Sequence, residues 1–255
     1  MARVTRGIGF GIDIGGSGIK GAPVDFAAGA FKGERLRIPT PSPSTPEAVA
    51  EVVGQIVSSF GRASGTRPIG VTFPAVIQHG VARTAANVSK AWVDTDVDAI
   101  MTATLGRAVH VINDADAAGL AEARYGAAKG VKGVVFLATL GTGIGSALIV
   151  DGQLVPNTEL GHLEIDGKDA ESRAADSVRD AEDLTWEHWA KRLQKYFSTV
   201  ENLFWPDLIV VGGGVSKKSA KFLPLLKLRA PIVPAGLLND GGIVGAAVAA
   251  AELGS

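Results

Sequence analysis

Twice in this chain a short apolar run enters a glycine-rich turn and leaves along a second β-type run that ends on aspartate. The first copy is GFGIDIGGSGIKGAPVDF, ending with Asp25 and Phe26; the second is VVFLATLGTGIGSALIVDG, carrying Asp151. One offset, close to half the chain, lays Asp13 on Thr139, Gly15 on Gly141 and Asp25 on Asp151. The same offset lays Asn113-Asp114 on Asn239-Asp240 and Gly119 on Gly245. Landmarks that coincide at a single shift point to a duplicated unit. The middle of each half departs from that offset, because IGVTFP and IVVGGG stand further apart.

The elements between the landmarks alternate. A third strand is expected at residues 36–38. Thr45 caps a helix with Pro46 at its first position and Val49, Val52, Val53, Ile56, Val57 and Phe60 on its apolar face. IGVTF is a buried strand, the loop with Asn87 and Trp92 leads to a short helix near 96–105, and VHVI runs into a helix starting at Asp114 or Ala115. In the second half, Trp189, Leu193, Tyr196, Phe197, Val200 and Phe204 mark a long amphipathic helix that Pro206 stops. LIVVGGG is a buried strand, and a Gly/Ala-rich helix closes the chain from about 241 to 253. This pattern predicts two α/β lobes with a ligand-enclosing cleft between them. The limits expected are a smaller lobe over 1–112, a larger one over 113–240, and a final helix, 241–255, packing back on the first.

Composition narrows the chemistry. Lys plus Arg number 25 against 26 Asp plus Glu, a net charge of −1, which argues against nucleic acid as the main partner. No apolar run reaches about 18 residues, so no membrane span is expected. The opening MARVTR is no signal peptide, and the chain is expected to be soluble and cytoplasmic. Cysteine is absent, which excludes disulfides, thiolate catalysis and Cys-ligated zinc.

Residues 16–21 match GxGxxG, the dinucleotide fingerprint, but that fingerprint needs a helix to begin inside it. Pro23 and the β-type residues around it oppose a helix, so a dinucleotide oxidoreductase is a remote alternative. A hairpin whose amides wrap phosphate oxygens fits better, with Gly15, Gly16, Ser17, Gly18 and Lys20 around the phosphate. Asp13 at its mouth would repel phosphate unless Mg2+ lay between them, bound directly or through water; the bland role is ending a strand on turn amides. The recurrence of such a turn at Gly141, Thr142 and Gly143 favours the phosphate role. Asn113-Asp114-Ala115-Asp116 stands where a strand becomes a helix. It can be a plain N-cap, or Asp114 can be the base that phosphoryl transfer to an alcohol requires, with Asp116 left to the helix dipole. Glu159, His162 and Glu171 suit sugar hydroxyls, which both donate and accept. Gly212, Gly213 and Gly214, followed by Lys217, Lys218 and Lys221, can hold a nucleotide or an extended polyanion; a solvated lysine face is an equal reading.

GIDIGGSGIK, NDADAAG, LGTGIGSALIVDG, ELGHLEIDG and VVGGGVS together resemble the successive motifs of the repressor–open reading frame–kinase (ROK) sugar kinases, and most of all their polyphosphate glucokinase branch. The resemblance spans nearly the whole chain. It implies the two-lobed hexokinase–actin-like (ribonuclease H-like) fold and transfer from polyphosphate, ATP or both to the 6-hydroxyl of glucose. It implies Asp114 as base and Asn113, Glu159 and His162 on the sugar, with Asn87 and Glu171 as further sugar ligands. Two departures stand out. IDGKDAES replaces the cysteine cluster of zinc-containing members, so no zinc site is expected, and Ala75 stands where glycine is usual. A homodimer is expected. The alternatives are a kinase for another hexose such as mannose, or a non-catalytic sugar-binding regulator of the same fold, which would keep the sugar residues and lose the phosphate turns or Asp114.

Overall fold

The computed structural model describes residues 4–86 and 88–253. The chain divides into two units: the described residues up to Ala121 with those from Asp240 onward, and Glu122–Asn239. The sequence-based limit of 112 precedes this division, which falls inside a helix.

In the first unit, β1 (Ile8–Gly15) and β2 (Gly18–Asp25) form an antiparallel hairpin with Gly15 opposite Gly18. The GxGxxG match therefore lies in a hairpin, and no helix begins in it. The short strands β3 (Ala30–Phe31) and β4 (Leu36–Ile38) pair with β2. Helix α1 (Pro46–Phe60) starts as its sequence dictates: the Thr45 hydroxyl accepts the Ala48 amide at 3.3 Å, and Val49, Val53 and Ile56 are buried. It crosses to β5 (Ile69–Phe73), which runs parallel to β1. A small sheet of β6 (Ile77–Gln78), β7 (Val81–Ala82) and β8 (Thr95–Asp96) leads to α2 (Val97–Leu105), capped by Asp96. Then β9 (Val109–Asn113), parallel to β5, turns directly into α3 (Asp114–Tyr125). Trp92 is fully buried against Phe73, and its indole N–H donates to the Ser44 carbonyl at 2.9 Å.

The C-terminal helix, Gly241–Leu253, completes this unit against β1, β5 and β9. Gly11 and Gly70 are register partners on adjacent strands. A Cβ on Gly11 would lie 1.9 Å from the Ile243 carbonyl oxygen, and one on Gly70 1.8 Å from that of Ala246. The paired glycines thus form a notch in which the helix rests at backbone contact. Gly245 brings the same helix equally close to the Ala117 carbonyl of α3.

The second unit opens with β10 (Val134–Leu140) and β11 (Ile144–Val150), a hairpin with Leu140 opposite Ile144, and β12 (Gln153–Val155) at its edge. A small hairpin of β13 (Glu164–Ile165) and β14 (Lys168–Asp169) follows, turning through Asp166 and Gly167 at φ 53° and 71°. Next come α4 (Glu171–Ala174), α5 (Asp176–Ala181) and α6 (Trp186–Phe204). Helix α6 buries Trp189, Leu193, Tyr196, Phe197 and Val200 along one stripe and stops at Trp205, which takes the left-handed conformation before Pro206. Leu193, Phe197 and Val200 are each worth about 1.5–3 kcal/mol on burial, so this stripe anchors the helix. Strand β15 (Leu208–Gly212) is parallel to β10, and β16 (Ile232–Pro234) is parallel to β15.

The sheet orders are β3-β2-β1-β5-β9 and β12-β11-β10-β15-β16. They repeat one design, as expected of a duplicated unit. The offset fails in the middle because the second unit inserts the β13–β14 hairpin, α4 and α5 before its third strand. It then joins β15 to β16 through short 3-10 turns.

Candidate active site

In the first unit the turn at Gly16 and Ser17 is held from one side. Arg37 donates to the Ser17 carbonyl at 2.7 Å, and the Thr40 hydroxyl donates to that of Gly15. A side chain on Gly18 would collide with the Arg37 guanidinium, 2.6 Å away. The hairpin register sets Asp13 opposite Lys20, whose Nζ lies 3.0 Å from Oδ2, and the Thr72 hydroxyl donates to Oδ1 at 2.9 Å. Asp13 is thus engaged rather than bare. No group of three or more His, Cys, Asp or Glu gathers to hold a metal among the described residues. Mg2+ takes one or two carboxylates and is otherwise held by water and substrate phosphates, a demand a single carboxylate such as Asp13 fits.

Asn113 closes β9 and caps α3. Its Oδ1 accepts the amides of Ala115 and Asp116 at 2.8 and 3.1 Å, and its Nδ2 donates to the Ala75 carbonyl at 3.0 Å. The buried amide keeps one N–H for another partner. Ala75 therefore contributes through its backbone. Asp114, the first residue of α3, is exposed, and its Oδ1 accepts the Ala115 amide at 2.9 Å. Asn87 lies outside the described residues.

In the second unit the turn 141–143 is braced from behind. Ser177, at the start of α5, donates its amide to the Gly141 carbonyl and its hydroxyl to that of Thr142. Glu171 accepts the Ile144 amide at 2.7 Å, and a Cβ on Gly143 would meet its carboxylate at 2.2 Å. These bonds turn the carbonyls inward. Among the described residues they leave the amides of Thr142 and Gly143 without a partner, the arrangement that suits an anion. Glu171 thus serves the turn backbone, a task its expected sugar role did not foresee.

Glu159 and His162 flank a single 3-10 turn, Leu160–His162. His162 donates from Nδ1 to Asp169 at 2.7 Å, which raises its pKa; the Glu171 and Glu159 charges push the same way, against burial. Partial burial raises the Glu159 pKa, opposed by His162 and helped by Glu171. Asp169 escaped the sequence reading, although its signal was there. Asp-Gly between β-type residues marks a two-residue hairpin, and that hairpin pairs Glu164 with Asp169.

Gly212 ends β15. Gly213, at φ 81°, presses on Leu140, where a Cβ would lie 2.2 Å from the carbonyl oxygen, so the triple glycine abuts the strand that leads into the turn 141–143. Gly214 opens the 3-10 stretch Gly214–Lys221. Lys218 and Lys221 approach the Trp186 ring at 5.9 and 5.4 Å, and Arg179 lies 4.3 Å above it. Lys217 is exposed and makes no such contact.

The profile of the ROK family matches residues 9–173. The chain is 53% identical to the polyphosphate glucokinase of Mycobacterium tuberculosis over 96% of its length and 92% of that protein's. It matches the crystal structure of the inorganic polyphosphate/ATP-glucomannokinase of Arthrobacter sp. strain KM with a TM-score of 0.92. Identity there is 59%, covering 96% of this chain and 99% of the other. A ROK family glucokinase from Streptomyces griseus, solved with glucose and AMPPNP, shares the fold at 22% identity and a TM-score of 0.80, over 94% of this chain and 98% of that one.

Proposed function

We infer the activity from one premise: the chain belongs to the ROK family. It is a glucokinase, moving a phosphoryl group from polyphosphate or ATP to glucose. The observation that carries this reading is the braced turn 141–143 with its open amides, on a chain more than half identical to two proteins named as phosphoryl-transfer enzymes.

Asp114 takes the proton from the 6-hydroxyl as its oxygen attacks the terminal phosphorus. The bond from that phosphorus to the rest of the donor breaks, leaving ADP or a polyphosphate one unit shorter. The Thr142 and Gly143 amides offset charge on the donor phosphates. Asp13 would hold Mg2+, which would supply further charge neutralisation. Glu159 and His162 hold sugar hydroxyls, with Asp169 fixing the imidazole, and the second N–H of Asn113 adds a donor.

The enzyme reading is preferred to a sugar-binding regulator because Asp114 and both turns are present. Mannose is a second acceptor to test, given the name of the Arthrobacter protein. A homodimer belongs to this proposal; Leu203 and Trp205, 59% and 67% exposed at the end of α6, are candidate contacts, with the Arg229 guanidinium 3.8 Å from the Trp205 ring. No described helix is long and apolar enough to cross a membrane, and we place the enzyme in the cytoplasm. The test is a coupled assay for glucose 6-phosphate with ATP and polyphosphate supplied separately. Product from neither donor would end the proposal, and sedimentation as a monomer at all concentrations would remove the dimer.

A further inference from the structure

One cavity in the second unit has no part in this chemistry. It measures about 340 Å3 and lies where the β13–β14 hairpin, α4 and α6 meet, large enough for a small ligand. Five cationic side chains line it: Lys168 on the hairpin, Arg173 on α4, and Lys191, Arg192 and Lys195 on α6. Glu182 pairs with Arg192 and Asp166 with Lys195. Lys168, Arg173 and Lys191 have no ion pair among the described residues. Like charges collected in a concavity repel one another and cost stability, while they concentrate anions there. Folding accounts for Arg192, which also donates to the Arg173 carbonyl at 3.1 Å, and for Lys195, but Lys168, Arg173 and Lys191 are exposed and gain no ion pair from it among the described residues.

A second observation points the same way. Tyr196 belongs to the lining, is 1% exposed, and its hydroxyl has no hydrogen-bond partner. Buried hydroxyls are normally satisfied. Burial, with the nearby charge of Glu171, pushes its pKa far up, so it keeps its proton and remains a donor. Guanidinium forks and ammonium groups suit phosphoryl oxygens; the phenol oxygen is closed off behind them and would meet an anion only if the lining gave way.

The walls of the cavity are also the supports of the sugar residues. Lys168 precedes Asp169, which holds His162, and Ala170, Arg173 and Ala174 of α4 line the cavity while Glu171 bonds the Ile144 amide. We propose that this cavity is a phosphoryl-anion site separate from the donor residues, and that its occupancy alters glucose affinity through Asp169 and Glu171. The second clause rests on the sugar-site reading above; the first does not.

Calorimetry on the full chain, with the donor site filled by a non-hydrolysable ATP analogue and Mg2+, tests this. Tripolyphosphate, glucose 6-phosphate and inorganic phosphate are titrated separately. One further binding event is expected, weakened about tenfold in Lys168→Gln/Lys191→Gln, with kcat on ATP unchanged. Tightest binding of tripolyphosphate makes the effector the donor polymer; tightest binding of glucose 6-phosphate makes it the product. Absence of any further event, or an event indifferent to the double substitution, overturns the site. Unchanged affinity in Tyr196→Phe strikes out the hydroxyl, and glucose affinity indifferent to the anion overturns the coupling alone. A chain that makes no glucose 6-phosphate would refute the kinase reading, yet the titration would still decide the cavity.

Discussion

Asp114 is exposed at the first position of α3, while Asn113 behind it is occupied as cap and tether. The two residues should therefore fail differently. Asp114→Asn should leave glucose affinity nearly intact and lower kcat by about 10²–10⁴, the share of a positioned base. Retention of a third of the activity would move the role elsewhere. Asn113→Ala should cost roughly 0.5–2 kcal/mol of stability as a lost cap and, with its sugar donor gone, weaken glucose binding as well. His162 gives a pH prediction. Its native pKa is raised by Asp169, so its protonation favours the folded state below the ordinary imidazole value, and that contribution is lost as pH rises through the raised one. At 55% exposure the stability term is small, but the ring titration is readable. Asp169→Asn should move the His162 NMR inflection to lower pH; an unmoved inflection would break the assigned pair. At this scale the sequence was legible where chemistry and position coincide, as at Asp114. Arg37 beside the first turn was not, because its place depends on how β4 registers against β2.

At the scale of elements, both glycine-rich hairpins, α1 with its Thr45 cap and the apolar stripe of α6 could be read from spacing alone. The strands β6, β7 and β8, two residues each, could not, since so short a strand has no periodicity to show, and β13 and β14 are announced only by the Asp166-Gly167 turn between them. Packing makes the next prediction. Gly70→Ala places a Cβ against the Ala246 carbonyl, where backbone has to move, and should cost about 1–3 kcal/mol. Gly54→Ala, in the interior of α1 with only Thr104 at 3.5 Å, should stabilise by about 0.4–1 kcal/mol. Paired thermal melts check both; equal shifts would mean that the notch is not the tight contact described.

For the whole molecule, the repeated strand order was foreshadowed by the coincident landmarks. The departures from one offset are insertions that no periodicity announces. Donor choice belongs to this scale as well. Lys218 and Lys221 gather with Arg179 around Trp186, and a chain of phosphates needs several cations acting together. Lys217→Ala/Lys218→Ala/Lys221→Ala should raise KM for long polyphosphate several-fold, with a smaller change for ATP and a smaller effect at high salt. Equal losses for both donors would assign the lysines a general phosphate role.

The notch at Gly11 and Gly70 is filled by the last helix of the chain, and all of Glu122–Asn239 is synthesised in between. At translation speeds of about 5–20 residues per second, a nascent first unit waits on the order of ten seconds for its final piece. During that interval the sheet faces of β1 and β5 that the helix will cover stand open, a surface for chaperones or for aggregation. A message cut short anywhere before residue 241 therefore yields no smaller kinase, only a first unit that never closes.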